Sequence, residues 1–157
     1  MNKTDAELTE WSAGVLGVRL IFIDGLVSDK ELPPYITVSE KGHYCLYTKE
    51  SLTRASRIGG SMGISFTPLT SIHWALEVAD KAVEIGIIKG WAISSVRISN
   101  NKEFKKVAKH LKIWTEETEY DDIAAEPCFS KELDTYPACA DQIIRTLHAI
   151  EEEKRDG

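Results

Sequence analysis

The segment from Ile72 to Gly86 sets the strongest constraint on how this chain can fold. Its apolar residues recur at helical spacing, on a stripe of Ile72, Leu76, Ala79, Val83 and Gly86 that Ala75 and Ala82 widen. Thr67 is suited to cap this helix, and Pro68 fits its first position, where no amide donor is needed. An amphipathic helix must bury its stripe against another element, so we expect it to pack on a sheet.

Five segments carry strand-like patterns. They are Val15–Ile23, Tyr35–Val38, His43–Tyr47, Met62–Phe66 and Trp91–Ile98. The first of them is apolar on both alternating faces, which is typical of a central strand covered on both sides. Gly42 lies in the polar turn between the second and third segments, so these two are expected to form a β-hairpin.

Other segments carry helical patterns. They are Glu7–Gly14, Lys49–Ile58, a segment that begins near Asn100 and carries the stripe Phe104, Val107, Ala108 and Leu111, and a C-terminal helix that begins near Pro137. Asn100 and Glu103 match a capping box for the third of these. The C-terminal helix places apolar residues on one face, namely Ala140, Ile143, Ile144, Leu147 and Ile150.

These elements predict an α/β fold of the α+β type, with a mixed sheet flanked by helices. We expect one compact domain over residues 1–157, with frayed ends at 1–6 and 151–157. Its sheet is expected to contain both the Val15–Ile23 and the Trp91–Ile98 strands, with the amphipathic helix packed on it.

The net charge of the chain limits the classes of partner that it is expected to bind. A net charge of -6 and a pI of about 5.3 disfavour binding to nucleic-acid backbones and to anionic membranes. Residues 1–7 show no signal-peptide pattern, and the apolar run at 15–23 is too short to cross a membrane. We therefore expect a cytoplasmic protein, or a delivered effector without a signal peptide.

Cysteines and histidines give no metal pattern. The odd number of cysteines, Cys45, Cys128 and Cys139, predicts free thiols in a reducing compartment. The four histidines show no metal-ligand spacing with each other or with cysteine, so no metal site is predicted. The glycine-rich stretch 59–63 has no lysine after it and is expected to be a loop.

Arg19 interrupts the apolar run at 15–23 and allows two interpretations. A buried guanidinium costs several kcal/mol unless it is paired or reaches a solvent-filled cleft. Either this strand lies at the edge of the sheet and Arg19 points to water, or Arg19 binds an anion at a cleft.

The acidic cluster 116–122 also allows two interpretations. It can be a solvated, charge-rich loop. If Trp114–Tyr120 is extended, Glu117 and Glu119 share one face, because side chains alternate along a strand. Two such carboxylates can divide the work of accepting a hydroxyl hydrogen bond and orienting a nucleophile.

The order of these features resembles the mono-ADP-ribosyltransferase family, in its cholera- and pertussis-toxin-like branch. The family carries an arginine on an early strand, then a Ser-Thr-Ser strand and later a Glu-x-Glu element. Here Arg19, Ser65-Phe66-Thr67 and Glu117-Thr118-Glu119 follow in that order, and the resemblance spans roughly Arg19 to Tyr120. The stretch from Ser65 to Asn101 is similar to the family's passage from the serine motif through a helix to the next strand.

The resemblance implies that NAD is a substrate and that ADP-ribose passes to a protein or small-molecule acceptor as nicotinamide leaves. It implies that Arg19 holds the NAD phosphates, with Arg54 and Arg57 as rivals for this role. It further implies that Ser65 supports the catalytic glutamate, that Glu119 binds the ribose hydroxyl, and that Glu117 steers the acceptor.

A non-catalytic role fits the charge equally well. Small acidic α/β proteins neutralise basic protein partners by electrostatic complementarity, as immunity proteins, antitoxins and inhibitors do. Convergence of Arg19, Ser65, Glu117 and Glu119 in one cleft would favour the enzyme. A flat acidic face would favour the binding protein.

Overall fold

A computed structural model describes residues 3–22, 32–58, 63–101, 104–116 and 126–156. The chain divides into two compact units, Met1–Thr67 and Pro68–Gly157, and each is described here by itself. Helices and sheets occur in both units, so the predicted mixed α+β class is confirmed. One domain over residues 1–157 stays a prediction.

The described part of the first unit contains a four-stranded mixed sheet and two helices. In chain order the elements are α1 (Asp5–Leu16), β1 (Arg19–Phe22), β2 (Tyr35–Val38), β3 (Tyr44–Tyr47), α2 (Lys49–Ile58) and β4 (Ile64–Ser65). The strand order is β1-β2-β3-β4, with β1 parallel to β2 and the other neighbours antiparallel. The predicted β2–β3 hairpin is confirmed, and Gly42 before β3 has a φ of 78°, which favours glycine.

The strand predicted over Val15–Ile23 is present only as β1, Arg19–Phe22, and its predicted central position is wrong. Val15 belongs to α1, which begins at a capping box in which Thr4 Oγ1 accepts from the Glu7 amide at 3.2 Å. The helix ends at Gly17, whose φ of 72° stops the helical path before β1 begins. As a result β1 is short and lies at the edge of its sheet, while the strand with all four residues buried is β2.

Gly63 packs closely against the aromatic face of β3. A Cβ atom added at Gly63 would lie 2.8 Å from Tyr47 Cζ, and the Tyr47 ring is stacked on Tyr35 at a centroid distance of 5.4 Å. We expect Gly63→Ala to lower the free energy of unfolding by about 1–3 kcal/mol, because the stacked ring must shift. Chemical denaturation measures this change.

Gly14 provides the matched control for Gly63. It lies within α1, and an added Cβ would meet no atom within 4 Å. Gly14→Ala should therefore stabilise by about 0.5–1 kcal/mol, as alanine does in helix interiors. Stabilisation by both substitutions would contradict the close approach at Gly63.

The described part of the second unit contains a three-stranded antiparallel sheet and two helices. Its elements are α3 (Ile72–Glu84), β5 (Gly90–Asn101), β6 (Phe104–Trp114), β7 (Phe129–Leu133) and α4 (Tyr136–Asp156), with strand order β5-β6-β7. The prediction that one sheet holds both the Val15–Ile23 and the Trp91–Ile98 strands is wrong, because β1 and β5 belong to separate sheets.

The helix predicted to begin near Asn100 is also wrong, because this region forms the long hairpin of β5 and β6. Its ladder runs from the Asn101–Phe104 pair to the Gly90–Trp114 pair. Leu111 and Ile113 are both fully buried. Residues two positions apart lie on the same face of a strand, so this burial is consistent with a strand.

Helix α3 begins later than predicted. Ser71 is its N-cap residue, whereas Thr67 and Pro68 precede the helix. Pro68 and Leu69 are buried in the turn over residues 68–70, so this turn packs into the core instead of extending the helix.

The buried stripe of α3 is rotated from the predicted one. The buried residues are Ala75, Val78, Ala79 and Ala82. Leu76 is only half-buried, and Val83 is 37% exposed. Alanines along this face allow α4 to approach closely, and α4 buries Cys139, Ala140, Ile143, Ile144 and Leu147.

The predicted C-terminal helix is confirmed as α4. Residues 151–156, which we expected to fray, are helical. Lys154 Nζ donates to the carbonyl oxygens of Gly86 at 2.9 Å and Ile87 at 2.7 Å. These bonds satisfy carbonyl groups just beyond the end of α3 and join the last turns of α4 to that point.

Candidate functional site

Arg19 is the first of the predicted site residues. It lies at the start of β1, and its side chain is exposed. Its Nη2 atom donates a hydrogen bond to the carbonyl oxygen of Leu32 at 2.7 Å. This location matches an edge strand with a solvent-facing arginine, and a role in anion binding stays a prediction.

Ser65 lies on β4, at the opposite edge of the same sheet. Across the sheet, Ser65 pairs with Cys45, Cys45 pairs with Thr37, and Thr37 pairs with Ile21. Ile21 is two residues beyond Arg19 on β1. The side chains of Arg19 and Ser65 therefore project from the same face. Three strand spacings separate the two strands, roughly 14 Å, so one small anion does not contact both residues.

The remaining predicted site residues cannot be placed by the structure. Glu117 and Glu119 lie outside the described residues, as do the side chains of Arg54 and Arg57. The extended path predicted for Trp114–Tyr120 is described only as far as residue 116, and β6 ends at Trp114. The roles inferred for these residues stay predictions.

A cleft that the sequence analysis did not anticipate lies in the second unit. Its volume is about 540 Å³. Thr115, Cys128 and Phe129 form one wall, and seven residues of α4 between Gln142 and Lys154 form the other. The cleft thus lies where β6 ends and β7 begins.

The cleft exists because α4 is much longer than β7. The 21 residues of α4 extend for about 31 Å, whereas the five residues of β7 extend for about 17 Å. Only residues 134 and 135 connect β7 to α4, so α4 runs back along the sheet. Near the start of α4, Tyr136 lies beside Lys109, which pairs with Leu133 at the end of β7. Further along α4, Ile150 lines the cleft together with Phe129, at the start of β7. The second half of α4 therefore extends past the start of β7.

Basic side chains near the cleft are engaged by groups of the same unit. Arg145 Nε donates to both carboxylate oxygens of Asp141 at 3.0 Å. Arg155 lies 2.6 Å from Glu151, and Lys154 donates to the two main-chain carbonyls after α3. The carboxylates offset the charges of the two arginines. Lys154 bonds neutral carbonyl oxygens, and Lys131 bonds the neutral amide oxygen of Gln142 at 3.5 Å, so both lysines keep their charge.

One carboxylate lines the same cleft and two more are near its opposite wall in sequence, and we call Glu116, Glu126 and Glu153 the acidic rim. Glu153 lines the cleft directly. Glu116 follows Thr115, and Glu126 lies two residues before Cys128, so both flank the opposite wall. All three rim residues are exposed. Carboxylates neutralise the two nearby arginines, and the three rim carboxylates outnumber Lys131 and Lys154, so a surplus of negative charge remains beside the apolar surface of Phe129 and Ile150.

The thiols of this unit differ in their surroundings. Cys128 is exposed at the cleft, and its Sγ donates to the carbonyl oxygen of Ile113 at 3.3 Å. Burial raises the pKa of Cys139, and the nearby Lys109 opposes this shift only in part. Cys139 is therefore a protonated core residue at neutral pH.

No group of three or more His, Cys, Asp and Glu side chains within the described part of the chain could hold a metal ion. No helix there is both long and apolar enough to span a membrane.

Sequence reasoning missed the cleft because its walls come from separate parts of the chain. One signal was available in the C-terminal helix. Gln142, Thr146, Ala149 and Glu153 follow each other at helical spacing, beside the apolar stripe. Such a second stripe of small and polar residues indicates a helix face that no apolar element covers.

Comparison with protein-family models, with curated proteins and with solved structures gives no match to this chain. Functional inference therefore starts from the geometry and the charges of the chain itself.

Proposed function

We propose that this chain is a non-catalytic binding protein that holds a basic protein partner on the acidic rim. The observation that supports this proposal is the surplus of negative charge at the cleft. Arg145 and Arg155 are paired with Asp141 and Glu151, and the two lysines that bond neutral oxygens, Lys131 and Lys154, are outnumbered by three exposed rim carboxylates. A basic partner gains from this field, and the apolar surface in the cleft adds contact area.

The sequence between the two walls of the cleft adds to this support. Residues 116–126 contain six acidic residues and no lysine, arginine or histidine. Two of the three rim residues, Glu116 and Glu126, therefore form the ends of a strongly acidic stretch of the chain. An immunity protein, an antitoxin or an inhibitor of a basic enzyme would use such a surface to attract and orient its partner.

Charge reversal at the rim tests the proposal. The probe is a fluorescent octalysine peptide, and its affinity is measured by anisotropy. Glu153→Lys should weaken binding about tenfold, because a repulsive charge replaces an attractive one at the contact. Binding should also weaken as salt rises, because exposed charges are screened.

Glu77→Lys is the matched control for Glu153→Lys. Glu77 is an exposed glutamate on α3, away from the cleft walls, and the substitution changes the net charge by the same amount. We expect less than about a twofold effect at this site. Equal losses from both variants would show attraction by net charge alone and would contradict a rim-specific site.

A second candidate is the NAD-dependent transferase implied by the resemblance. The observation that favours it is the shared face of Arg19 and Ser65 on the first sheet. Three strand spacings and a two-residue offset place their Cα atoms roughly 16 Å apart, which suits contact with different parts of an extended dinucleotide rather than with one phosphate. The acceptor on this hypothesis is a protein or a small molecule.

A further inference from the structure

Strand β5 forms one edge of the three-stranded sheet. It has 12 residues and pairs with β6 on one side only, and no other described strand pairs with its far side. An edge strand presents a row of main-chain donors and acceptors that another strand can bind. The length of β5, roughly 40 Å, makes this row unusually long.

The two edges of this sheet differ in their protection. The opposite edge, β7, has only five residues and includes Lys131 and Glu132. Short length and charge are the usual means by which proteins block edge pairing. Strand β5 has one charged residue, Arg97, and no proline in its 12 residues.

Small side chains leave the described half of β5 accessible. Ala92, Ser94 and Ser95 are all exposed. An approaching strand must come within about 4.8 Å of β5, and these side chains offer little steric resistance to it. These exposed, uncharged side chains favour an edge that pairs with another strand.

We propose that β5 pairs in antiparallel fashion with β5 of a second copy of this chain, which joins the two sheets into one of six strands. A two-fold axis makes such an interface self-complementary, and the two strands match in length by identity. In the register centred on Ser94, position 97 of one copy lies opposite position 91 of the other. The two Arg97 positions are then about 20 Å apart along the ladder, well beyond the Debye length of about 8 Å.

Charges on the neighbouring strand do not prevent this pairing. Lys109 and Lys112 lie on β6, one strand away from the edge. In the dimer the two β6 strands are three spacings apart, roughly 14 Å, so salt screens their repulsion.

The area that the two β5 strands would bury is small for a protein–protein interface. A ladder of this length buries on the order of 400 Å² per copy, about half of a standard interface. A contact of this size is expected to give a weak dimer that forms at high protein concentration. Sedimentation velocity of the full chain between about 1 and 500 µM measures it.

Added charge at the axis is the first test. Ser94→Lys places two lysines opposite each other and should weaken dimerisation at least about tenfold. Ser130→Lys is the control: Ser130 is also an exposed serine on this sheet, but on β7, so the dimer should persist within about twofold.

Proline substitution tests the ladder itself. Successive N–H groups along a strand point to opposite sides, so Ser94→Pro and Ser95→Pro remove donors from different edges of β5. We expect one of them to abolish the dimer with an almost unchanged melting temperature, and the other to lower the melting temperature. A monomer at every concentration, or a dimer that Ser94→Lys and both proline variants leave intact, would overturn the proposal.

Discussion

Ile144→Ala is expected to lower the free energy of unfolding by about 2–5 kcal/mol, the range for deleting a large apolar side chain from a core. Ile144 is fully buried on α4, which packs against α3, β6 and β7. A close-packed core relaxes only in part around such a cavity. Urea denaturation followed by circular dichroism measures the loss.

Ile150→Ala is the control on the same helix. Ile150 lines the cleft and is partly exposed, so its truncation should cost about 1 kcal/mol or less. Losses of equal size at the two positions would mean that α4 presents a different face to the core. The cleft geometry would then be wrong as well.

Glu119→Gln should reduce NAD glycohydrolysis at least about a hundredfold if the transferase candidate is correct. The substitution keeps the side-chain volume and removes the charge that would stabilise the oxocarbenium-like centre. Folding should hardly change, because such a group serves the transition state and not the core. Millimolar NAD should also raise the melting temperature of the native chain, by mass action.

Two neighbouring glutamates provide the controls for Glu119. Glu117→Gln should spare hydrolysis more than transfer to an acceptor, and Glu116→Gln should do little to either. Small and equal effects at all three positions, with no thermal shift from NAD, would eliminate the transferase candidate. The binding proposal, which rests on Glu153 and its rim, would be unaffected.

Elements with a strong local signal were predictable from sequence. The β2–β3 hairpin combines alternating residues with Gly42, whose positive φ only glycine adopts freely. Helix α4 carries five apolar residues on one face, and four of them are fully buried or nearly so. In both cases the local pattern and the tertiary environment favour the same structure.

Strand β6 shows where a local pattern misleads. Phe104, Val107, Ala108 and Leu111 fit a helical stripe, whereas Leu111 and Ile113 fit a strand. Pairing with β5 along nearly its whole length decides between them, because it supplies main-chain hydrogen bonds that no single-segment pattern reveals. For Arg19 the sequence left an edge strand and an anion-binding cleft both open. Gly17 ends α1 and leaves a short edge strand, in agreement with the first interpretation.

The site was less predictable than the fold. The acidic character of residues 116–122 was visible from sequence, and it now supports the binding proposal. The cleft beside it depends on the excess length of α4 over β7 and on segments more than ten residues apart. Such a feature arises from the lengths of packed elements, not from any residue motif.

The β5–β6 hairpin also determines how the second unit is expected to reach its structure. Its first pair, Asn101 with Phe104, is only three positions apart, and each further pair adds to a ladder already begun. Little loop-closure entropy is lost at any step, so this hairpin is a natural folding nucleus. The β6–β7 pairing must close the longer gap between Ile113 and Phe129, and it is expected to form later. Until that second step occurs, α4 has no complete sheet on which to pack.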